Sequence, residues 1–483
     1  MAAAKDNSLS RSMGLPGAIA TVIAGTLGAG LFVTIGTASG TTGPSVILGV
    51  AATGIIAMAL ATNYSWLATI FPGAGGAYTF ISRSFNNRLL GFVVTWTKWL
   101  GYIAADAVLA IGFGAYLEVF VPALDPVWSG FGILTVLFLI NLFGTKGYSR
   151  AQTAMLWVLI ASLIVLIIPG LFNIDTASYT PFFTGEFSGF MAATVPLFYA
   201  FIGIEVAAQF GAEVKNPSRN LPLAILGGTG ILIVLYMITA IVIYGVVDSY
   251  TVLAESAKPL STAAETFLGT FGTVVVALGG LLATATSTHA IMAAAIKIPY
   301  SWSWDGIFPK WFSAVNRRFR TPHWSLLTLY VAASMLLFWS AGLDQAIAIA
   351  TFSYLIAYLT VSIATGYLYA KGGVLASRAA YNPGRWFYIA VVVAALGSLI
   401  LITQAANWPA LFAGNFGDLS TLAIFFPWLA IGLIVFTIYW YLDKKRGTDV
   451  AAVLDTIPGV RVDPAPPADP EAPADPPEQA GRT

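Results

Sequence analysis

Residues 25–30 read Gly-Thr-Leu-Gly-Ala-Gly and lie in the middle of an apolar run that covers residues 16–38. Three glycines in six residues weaken a helix, because each glycine in a helix interior costs about 1 kcal/mol relative to alanine. A second apolar run, residues 189–211, contains a proline, a glycine and a glutamate within Pro196–Glu205. Irregular backbone at membrane depth is tolerated only where protein buries it or where it lines a cavity. The two stretches therefore predict two interrupted helices in an apolar layer.

The composition places these runs in a membrane. The chain has 483 residues, of which 58% are hydrophobic and 9% are charged, and its mean hydropathy is +0.80. A soluble domain carries about 25% charged residues, so a soluble enzyme and a nucleic-acid-binding protein are excluded. The absence of cysteine excludes a disulfide scaffold. Apolar runs long enough to cross a bilayer predict an all-α integral membrane protein, in contact with lipid, with about twelve transmembrane helices. The predicted spans are residues 16–38, 44–70, 89–119, 127–143, 151–172, 189–211, 222–247, 265–296, 324–341, 344–370, 385–403 and 420–442.

The positive charges predict the orientation. If the N-terminus is cytoplasmic, 21 of the 23 lysines and arginines fall in cytoplasmic segments, while Lys258 lies outside and Lys98 lies within the third run. Because cytoplasmic loops carry the excess of lysine and arginine, we predict a multi-pass protein of the plasma (inner) membrane with both termini in the cytoplasm. Residues 1–15 then form a cytoplasmic N-terminal segment. Residues 458–483, rich in Pro, Ala, Asp and Glu, predict a disordered cytoplasmic tail.

The positions of the two interruptions indicate a transporter. They fall in the first and sixth runs, which are equivalent if the first ten spans form two halves of five. Interrupted segments at corresponding positions of two halves point to a transporter's central binding site. Small residues also let helices pack closely, as in Gly-x-x-x-Gly crossings, and residues 25–30 taken alone fit that interpretation equally well. Their pairing with Pro196–Glu205 favours the binding site.

Several motifs then carry a family resemblance. They are Leu27–Phe32, Phe71–Tyr78, Phe201–Glu205 followed by Glu213–Pro222, and Lys297 followed by Asp305–Pro309. Together they resemble the signatures of amino acid permeases of the amino acid–polyamine–organocation (APC) superfamily, in order over the first ten spans. The resemblance implies transport by alternating access. It also implies two five-helix repeats of opposite orientation, residues 16–172 and 189–370, with broken helices 1 and 6, and two extra helices within residues 385–442.

The resemblance and the chemistry of helix ends indicate a substrate site at the interruptions. Free N–H groups around Gly28, Ala29 and Gly30 would bind a substrate carboxylate, since a half-helix N-terminus attracts anions. Carbonyl groups near Thr26 and from about Tyr199 to Phe201 would accept the substrate ammonium. The resemblance also makes Tyr199 an aromatic gate, where many relatives have tryptophan. The complete predicted substrate-binding set is Thr26, Gly28, Ala29, Gly30, Ala105, Asp106, Tyr199, Phe201 and Gly203.

Four ionisable residues lie in the interior of the apolar runs, away from their ends: Lys98, Asp106, Glu205 and His289. Such residues are costly in a membrane and mark functional sites, so Glu205, Asp106 and His289 are predicted as gating or coupling groups. Each has a structural alternative, namely bonding to neighbouring helices for Glu205 and a packing role for His289. Lys98 is interpreted as a structural counter-charge. Asp106 lies eight residues after Lys98, about 12 Å along a straight helix, so a direct pair is not expected.

The residues of spans five and eight bear on which ion is coupled to transport. Proton-coupled members of the family often carry a lysine in span five, but residues 151–174 contain no charged residue before Asp175. Span eight instead has Ala283, Thr286 and Ser287, the Ala-x-x-Thr-Ser spacing with which sodium-coupled carriers of this fold bind Na⁺. Hydroxyl and carbonyl oxygens suit this hard cation, and Val22 and Gly25 would add carbonyl groups. Serine and threonine also pack or bond back to the helix in membranes. The pattern favours Na⁺, with proton coupling and uncoupled exchange as alternatives, and no other cofactor is expected.

The sequence therefore predicts a secondary active transporter of amino acids rather than an enzyme. A lining of Phe198, Tyr199 and Phe201 favours a neutral side chain, whereas Asp106 leaves a cationic amine or polyamine open. An inorganic cation carrier fits the permease motifs poorly. A receptor would not need two interrupted helices, and an intramembrane enzyme would need a nucleophile–base pair or metal ligands that this chain does not bring together.

Overall fold

The computed structural model describes residues 11–142, 148–315, 321–339, 343–406 and 420–460. Most of the predicted N-terminal segment, residues 1–10, and most of the predicted tail, residues 461–483, lie outside the described residues. The side chain of Ala29 does so too.

Helices make up the regular structure of the described residues, apart from two isolated β-bridges and short 3₁₀ turns. In chain order they are α1 (Leu15–Thr42), α2 (Val46–Ile70), α3 (Ala77–Ser84), α4 (Arg88–Leu117), α5 (Pro126–Leu142), α6 (Tyr148–Leu171), α7 (Phe187–Tyr199), α8 (Val206–Gln209), α9 (Pro217–Gly245), α10 (Thr251–Ala254), α11 (Pro259–Ala295), α12 (Lys297–Trp304), α13 (His323–Trp339), α14 (Leu343–Lys371), α15 (Gly373–Ser377), α16 (Phe387–Ala405), α17 (Ser420–Lys445) and α18 (Val450–Asp455).

The helices are long and apolar. Within the described ranges, eight stretches have the length and composition needed to cross a membrane, and α5, α7 and α13 are shorter apolar helices. Each of the twelve predicted runs overlaps one of these helices, and the sixth run, residues 189–211, also includes α8. The prediction of an all-α membrane protein is thereby confirmed, whereas the count of twelve spans and the inverted repeat stay predictions.

Local sequence signals fix several helix ends. Proline stands in the first turn of α1, α9 and α11, where its missing N–H costs nothing. The side chain of Asn87 caps α4 by accepting a hydrogen bond from the Leu90 N–H at 3.0 Å. Gly269 bends α11 with a φ of 58°. The long helices then pack around α1, which contacts α7, α9 and α11, while α4 packs against α5, α11 and α14.

The predicted interruption of the first span is wrong, because α1 is continuous from Leu15 to Thr42. Its glycines allow close packing instead. A Cβ on Gly28 would lie 2.0 Å from the Ala283 carbonyl oxygen of α11. A Cβ on Gly30 would lie 2.4 Å from the Ala200 Cα. Residues 25–30 therefore follow the packing interpretation, in which small residues let backbones approach.

The predicted interruption of the sixth span is confirmed. Helix α7 ends at Tyr199 and α8 begins at Val206, and the residues between them form turns. Gly203, in this interrupted segment, has a φ of 109°, a conformation that glycine adopts without the steric cost other residues incur. A Cβ there would also lie 2.4 Å from the Gly25 carbonyl oxygen. The interrupted segment thus lies directly on the continuous helix α1.

Candidate functional site

The contact between α1 and the interrupted segment is held by Tyr236 of α9. Its hydroxyl lies 3.1 Å from the Thr26 carbonyl oxygen and 3.0 Å from the Ala200 carbonyl oxygen, and it donates to them. Tyr236 is fully buried, and its ring packs against Phe201 at a centroid distance of 5.1 Å. The two predicted carbonyl regions therefore meet at one hydroxyl. The sequence analysis missed Tyr236, whose only signal was a tyrosine within the apolar run 222–247.

A second contact joins α1 to α11 through Ser287. The Gly28 N–H donates to the Ser287 Oγ at 2.9 Å, and this hydroxyl donates to the Ala24 carbonyl. A regular helix pairs residue 28 directly with residue 24. Ser287 therefore bridges two groups of the α1 hydrogen-bond ladder, as side chains do where helices are locally opened. The Gly28 N–H of the predicted anion site therefore already has a hydrogen-bond partner in this structure, for which a substrate carboxylate would have to compete.

The other predicted sodium ligands lie along the same two helices. The Thr286 hydroxyl donates to the Ala283 carbonyl at 2.9 Å, and the Thr26 hydroxyl donates to the Val22 carbonyl at 2.8 Å. Gln152 of α6, which the sequence analysis did not single out, donates to the Thr286 carbonyl at 3.0 Å. Among the described residues, no group of three or more His, Asp or Glu could hold a metal ion. A cation here would therefore rest on carbonyl and hydroxyl oxygens.

Glu205, at the end of the interrupted segment, is paired with Lys98 of α4. The Lys98 Nζ lies 2.8 Å from the Glu205 Oε1, and the Tyr358 hydroxyl of α14 donates to the Glu205 Oε2 at 2.6 Å. Both charged side chains are 0% exposed. Lys98 is thus a counter-charge, as predicted, and its partner is Glu205. The carboxylate bonds to two neighbouring helices, which was the structural alternative for this residue.

Tyrosine rings surround the ammonium group of Lys98. Its Nζ lies 5.3 to 5.5 Å from the ring centroids of four tyrosines: Tyr64, Tyr102, Tyr354 and Tyr358. Each distance is within the range of a cation–π interaction, which strengthens when the cation is desolvated. The (i, i+4) spacings of Lys98 with Tyr102 and of Tyr354 with Tyr358 were visible in the sequence, but the contacts between the three helices that carry these residues were not. The ion pair and its rings form a buried polar cluster beside the interrupted segment.

Asp106, one residue after the buried Ala105, is different because it has no counter-charge among the described residues. Neither of its carboxylate oxygens has a hydrogen-bond partner or an ion pair among the described residues, and the side chain is 0% exposed. The hydroxyl of Tyr199 is also buried without a partner in the described part of the chain. His289 is buried in α11. A buried carboxylate has to be protonated or paired with a cation, so Asp106 can receive a positive group.

The motifs that lie outside α1 and the interrupted segment meet at one face of the molecule. Asp305 accepts a hydrogen bond from the Tyr78 hydroxyl at 2.5 Å and forms an ion pair with Arg83. Burial and the nearby Asp305 carboxylate raise the pKa of Tyr78 above its usual value. Lys297 forms an ion pair with Glu213. The residue patterns that carried the resemblance are therefore in contact with one another, far apart in sequence but joined in the fold.

Comparison with known proteins gives a family match over most of the chain. The family model described as "Amino acid permease" matches residues 13–438, which is nearly the whole chain.

Individual relatives have low sequence identity to this chain, but the matches are long. The branched-chain amino acid permease BcaP of Bacillus subtilis is 24% identical over 90% of this chain and 94% of its own length. The methylthioribose transporter of the same organism is 25% identical over 71% of this chain and 78% of its own length. Cationic amino acid transporter 9, chloroplastic, of Arabidopsis thaliana is 28% identical over 64% of this chain, and the match spans 58% of that relative's length.

Proposed function

The chain belongs to the amino acid permease family, and from this premise we propose that it is a secondary active carrier of amino acids with neutral side chains. The observation that carries the proposal is the contact of the interrupted segment, Ala200–Glu205, with α1. Interrupted backbone at membrane depth exposes polar groups that a substrate can use. The Bacillus subtilis relative, whose match covers 90% of this chain, is named a branched-chain amino acid permease, which also supports an apolar side chain.

In the proposed mechanism, the substrate ammonium binds the carbonyl groups of Thr26 and Ala200. In this structure the Tyr236 hydroxyl is hydrogen-bonded to both carbonyl groups. The ammonium would therefore bind beside this hydroxyl or replace it. The substrate carboxylate would compete with the Ser287 Oγ for the Gly28 N–H. Each substrate charge would thus take over a bond that the protein makes to itself. Such an exchange keeps the two carbonyl groups and the Gly28 N–H hydrogen-bonded with and without substrate, and a buried polar group left without a partner is costly.

We propose Na⁺ as the coupling ion, bound between α1 and α11. The hydroxyl of Ser287 lies against α1 at Ala24 and Gly28, and the Ala283 carbonyl lies against Gly28. These contacts place oxygen atoms from both helices at one interface, which supports a site for a hard cation. Binding there would tie α1 to α11 and bias one of the alternating conformations. Proton coupling at Glu205, Asp106 or His289 and uncoupled exchange are the competing mechanisms.

A second candidate cargo is a cationic amino acid or polyamine, and Asp106 favours it. The carboxylate is fully buried and has no counter-charge among the described residues. A zwitterionic amino acid brings no net charge, whereas a cargo with an additional ammonium would neutralise Asp106. The names of several relatives, cationic amino acid transporters of Arabidopsis thaliana, agree with this alternative.

The test is uptake of radiolabelled amino acids into proteoliposomes that contain the purified protein. Pools of neutral and cationic amino acids are offered under an imposed Na⁺ gradient, an imposed pH gradient, or neither. Uphill accumulation of neutral amino acids under the Na⁺ gradient alone is the expected result. Accumulation under the pH gradient alone would refute Na⁺ coupling and leave the carrier proposal intact. Exchange that needs neither gradient would identify an antiporter, and absence of transport with every pool would contradict the proposed function.

A further inference from the structure

The chain after α17 folds back onto the face where the sequence motifs meet. Asp443, near the end of α17, pairs with Arg88 at 2.9 Å and accepts a hydrogen bond from the Thr448 hydroxyl at 2.7 Å. Helix α18 follows, with Asp449 as its N-cap. Residues 456–460 then continue across the surface, and Pro458 and Gly459 are buried. We call residues 448–460 the strap.

Arg83 holds the strap. Its guanidinium group, already paired with Asp305, also donates to the carbonyl oxygens of Val453 at 3.3 Å and Thr456 at 3.1 Å. These carbonyl groups lie at the end of α18, where the Val453 carbonyl also accepts hydrogen bonds from the backbone N–H and the hydroxyl of Thr456. A charged donor makes hydrogen bonds about twice as strong as a neutral donor does. One buried side chain therefore fixes the strap to α3 and to the end of α12.

The end of the strap contacts the turn between α2 and α3. The Ala74 N–H donates to the Pro458 carbonyl at 2.8 Å. Ile457 packs against Gly73, where an added Cβ would lie 3.5 Å from the Ile457 Cβ. Val460 packs on a small apolar cluster of Ala74, Ala212 and Tyr300. These three residues belong to three separate parts of the chain, so the strap covers the place where those parts meet.

This meeting place separates the interrupted segment from the surface. The chain runs from the interrupted segment through α8 into residues 210–215. Phe210 forms a β-bridge with Ala74, and Met13, just before α1, exchanges backbone hydrogen bonds with Glu213 and Lys215 at 3.0 and 2.8 Å. A path from the interrupted segment to this face requires residues 210–215 to separate from the turn at Ala74.

We propose that the strap is a latch that holds this face of the carrier closed and that must release each time the face opens. Val460 packs on the apolar cluster in which both sides of the required separation meet, and the hydrogen bond from Ala74 to Pro458 fixes one of those sides. In this proposal the strap stabilises the closed arrangement, and its contacts with this face are lost in the open one. The inference rests on the proposed alternating access, but its first readout does not depend on any substrate.

The experiment locks the latch with a disulfide. The 483-residue chain has no cysteine, so Gly73→Cys with Ile457→Cys creates a single pair. The Cβ separation of 3.5 Å at these positions falls at the lower end of the disulfide range of about 3.5–4.5 Å. We expect the oxidised double variant to transport at least about tenfold more slowly than its reduced form, with recovery in dithiothreitol. The two single-cysteine variants serve as controls and should not respond to oxidant.

A second measurement follows opening directly, without transport. Gln209, directly before residues 210–215, is fully buried. The variant Gln209→Cys therefore reports whether a charged methanethiosulfonate reagent can reach this position. Adding Ile457→Asp should raise the labelling rate at least about tenfold, whereas Asp455→Ala, an exposed change on α18, should leave it unchanged. Equal labelling rates in all three proteins would overturn the latch. So would a disulfide that forms fully and leaves transport unchanged, or a pair that fails to cross-link in the folded protein. If labelling changes as expected but no amino acid is transported, the result would contradict the proposed function and leave the latch intact.

Discussion

The ammonium nitrogen of Lys98 lies 2.8 Å from a carboxylate oxygen of Glu205, and neither side chain is exposed. This pair joins α4 to the point where the interrupted segment ends and α8 begins. Tyr358 adds α14 through its hydrogen bond to the same carboxylate. The pair therefore fixes the interrupted segment against two continuous helices. Movement of that segment during transport would have to carry the pair along or separate it.

Removal of one partner should strongly destabilise the protein. Lys98→Met leaves a buried carboxylate without its counter-charge, and breaking a buried pair in this way costs about 3–5 kcal/mol. The double variant Lys98→Met with Glu205→Gln should recover most of the loss, because no uncompensated charge remains. Thermal unfolding of the detergent-solubilised proteins measures the effect as a double-mutant cycle. Equal melting temperatures for the wild type and Lys98→Met would show that the pair does not contribute to stability.

Gly30 should tolerate no side chain, although α1 is helical there. A Cβ would lie 2.4 Å from the Ala200 Cα and 2.5 Å from the Ala200 carbonyl oxygen, so Gly30→Ala has to displace the interrupted segment. We expect this variant to fold but to lose about tenfold or more in uptake rate. Gly227→Ala in α9 is the matched control, since nothing lies within 4 Å of the added Cβ. Similar uptake by both variants would argue against a substrate site at this contact.

The sequence predicted the apolar runs, the interruption before Glu205 and the buried charges. These features depend on composition and on strong local signals such as Pro196 and Gly203. It failed at residues 25–30, because glycine favours two outcomes equally, a broken helix and a close helix contact. The neighbours decide between them. The Ala283 carbonyl and Ala200 lie against α1, and a single sequence does not reveal such partners.

The candidate site was predictable only in part for the same reason. Lys98, Asp106 and Glu205 were visible as charges in apolar runs, yet which two would pair depended on how α4 and the interrupted segment pack. Spacing along one helix excluded a pair between Lys98 and Asp106, and correctly so. Tyr236 was not predicted, since a tyrosine in an apolar run is common and carries no distinctive spacing. Its role arises from two carbonyl groups of other segments.

Ser287 should be needed for Na⁺ dependence, whereas Thr288 should not. Ser287 bridges Ala24 and Gly28 of α1, while the Thr288 hydroxyl donates to the Thr284 carbonyl of its own helix at 2.8 Å. We expect Ser287→Ala to raise the Na⁺ concentration for half-maximal uptake at least about tenfold and Thr288→Ala to change it less than about twofold. Uptake measured over a range of Na⁺ concentrations checks this. Unchanged Na⁺ dependence in Ser287→Ala would place the coupling site elsewhere.

Asp106 should determine whether a cationic cargo is accepted. Its carboxylate has no partner among the described residues, and a hydrogen bond to a charged group contributes about 1.5–3 kcal/mol, or roughly ten- to a hundredfold in affinity. We expect Asp106→Asn to weaken competition by lysine or putrescine by that factor, while uptake of a neutral amino acid changes less than about threefold. Competition assays in proteoliposomes provide both numbers. If uptake of both cargo classes falls equally, Asp106 serves a step common to all substrates, such as binding of the coupling cation. Asp106→Glu, which keeps the charge, should then restore part of the uptake.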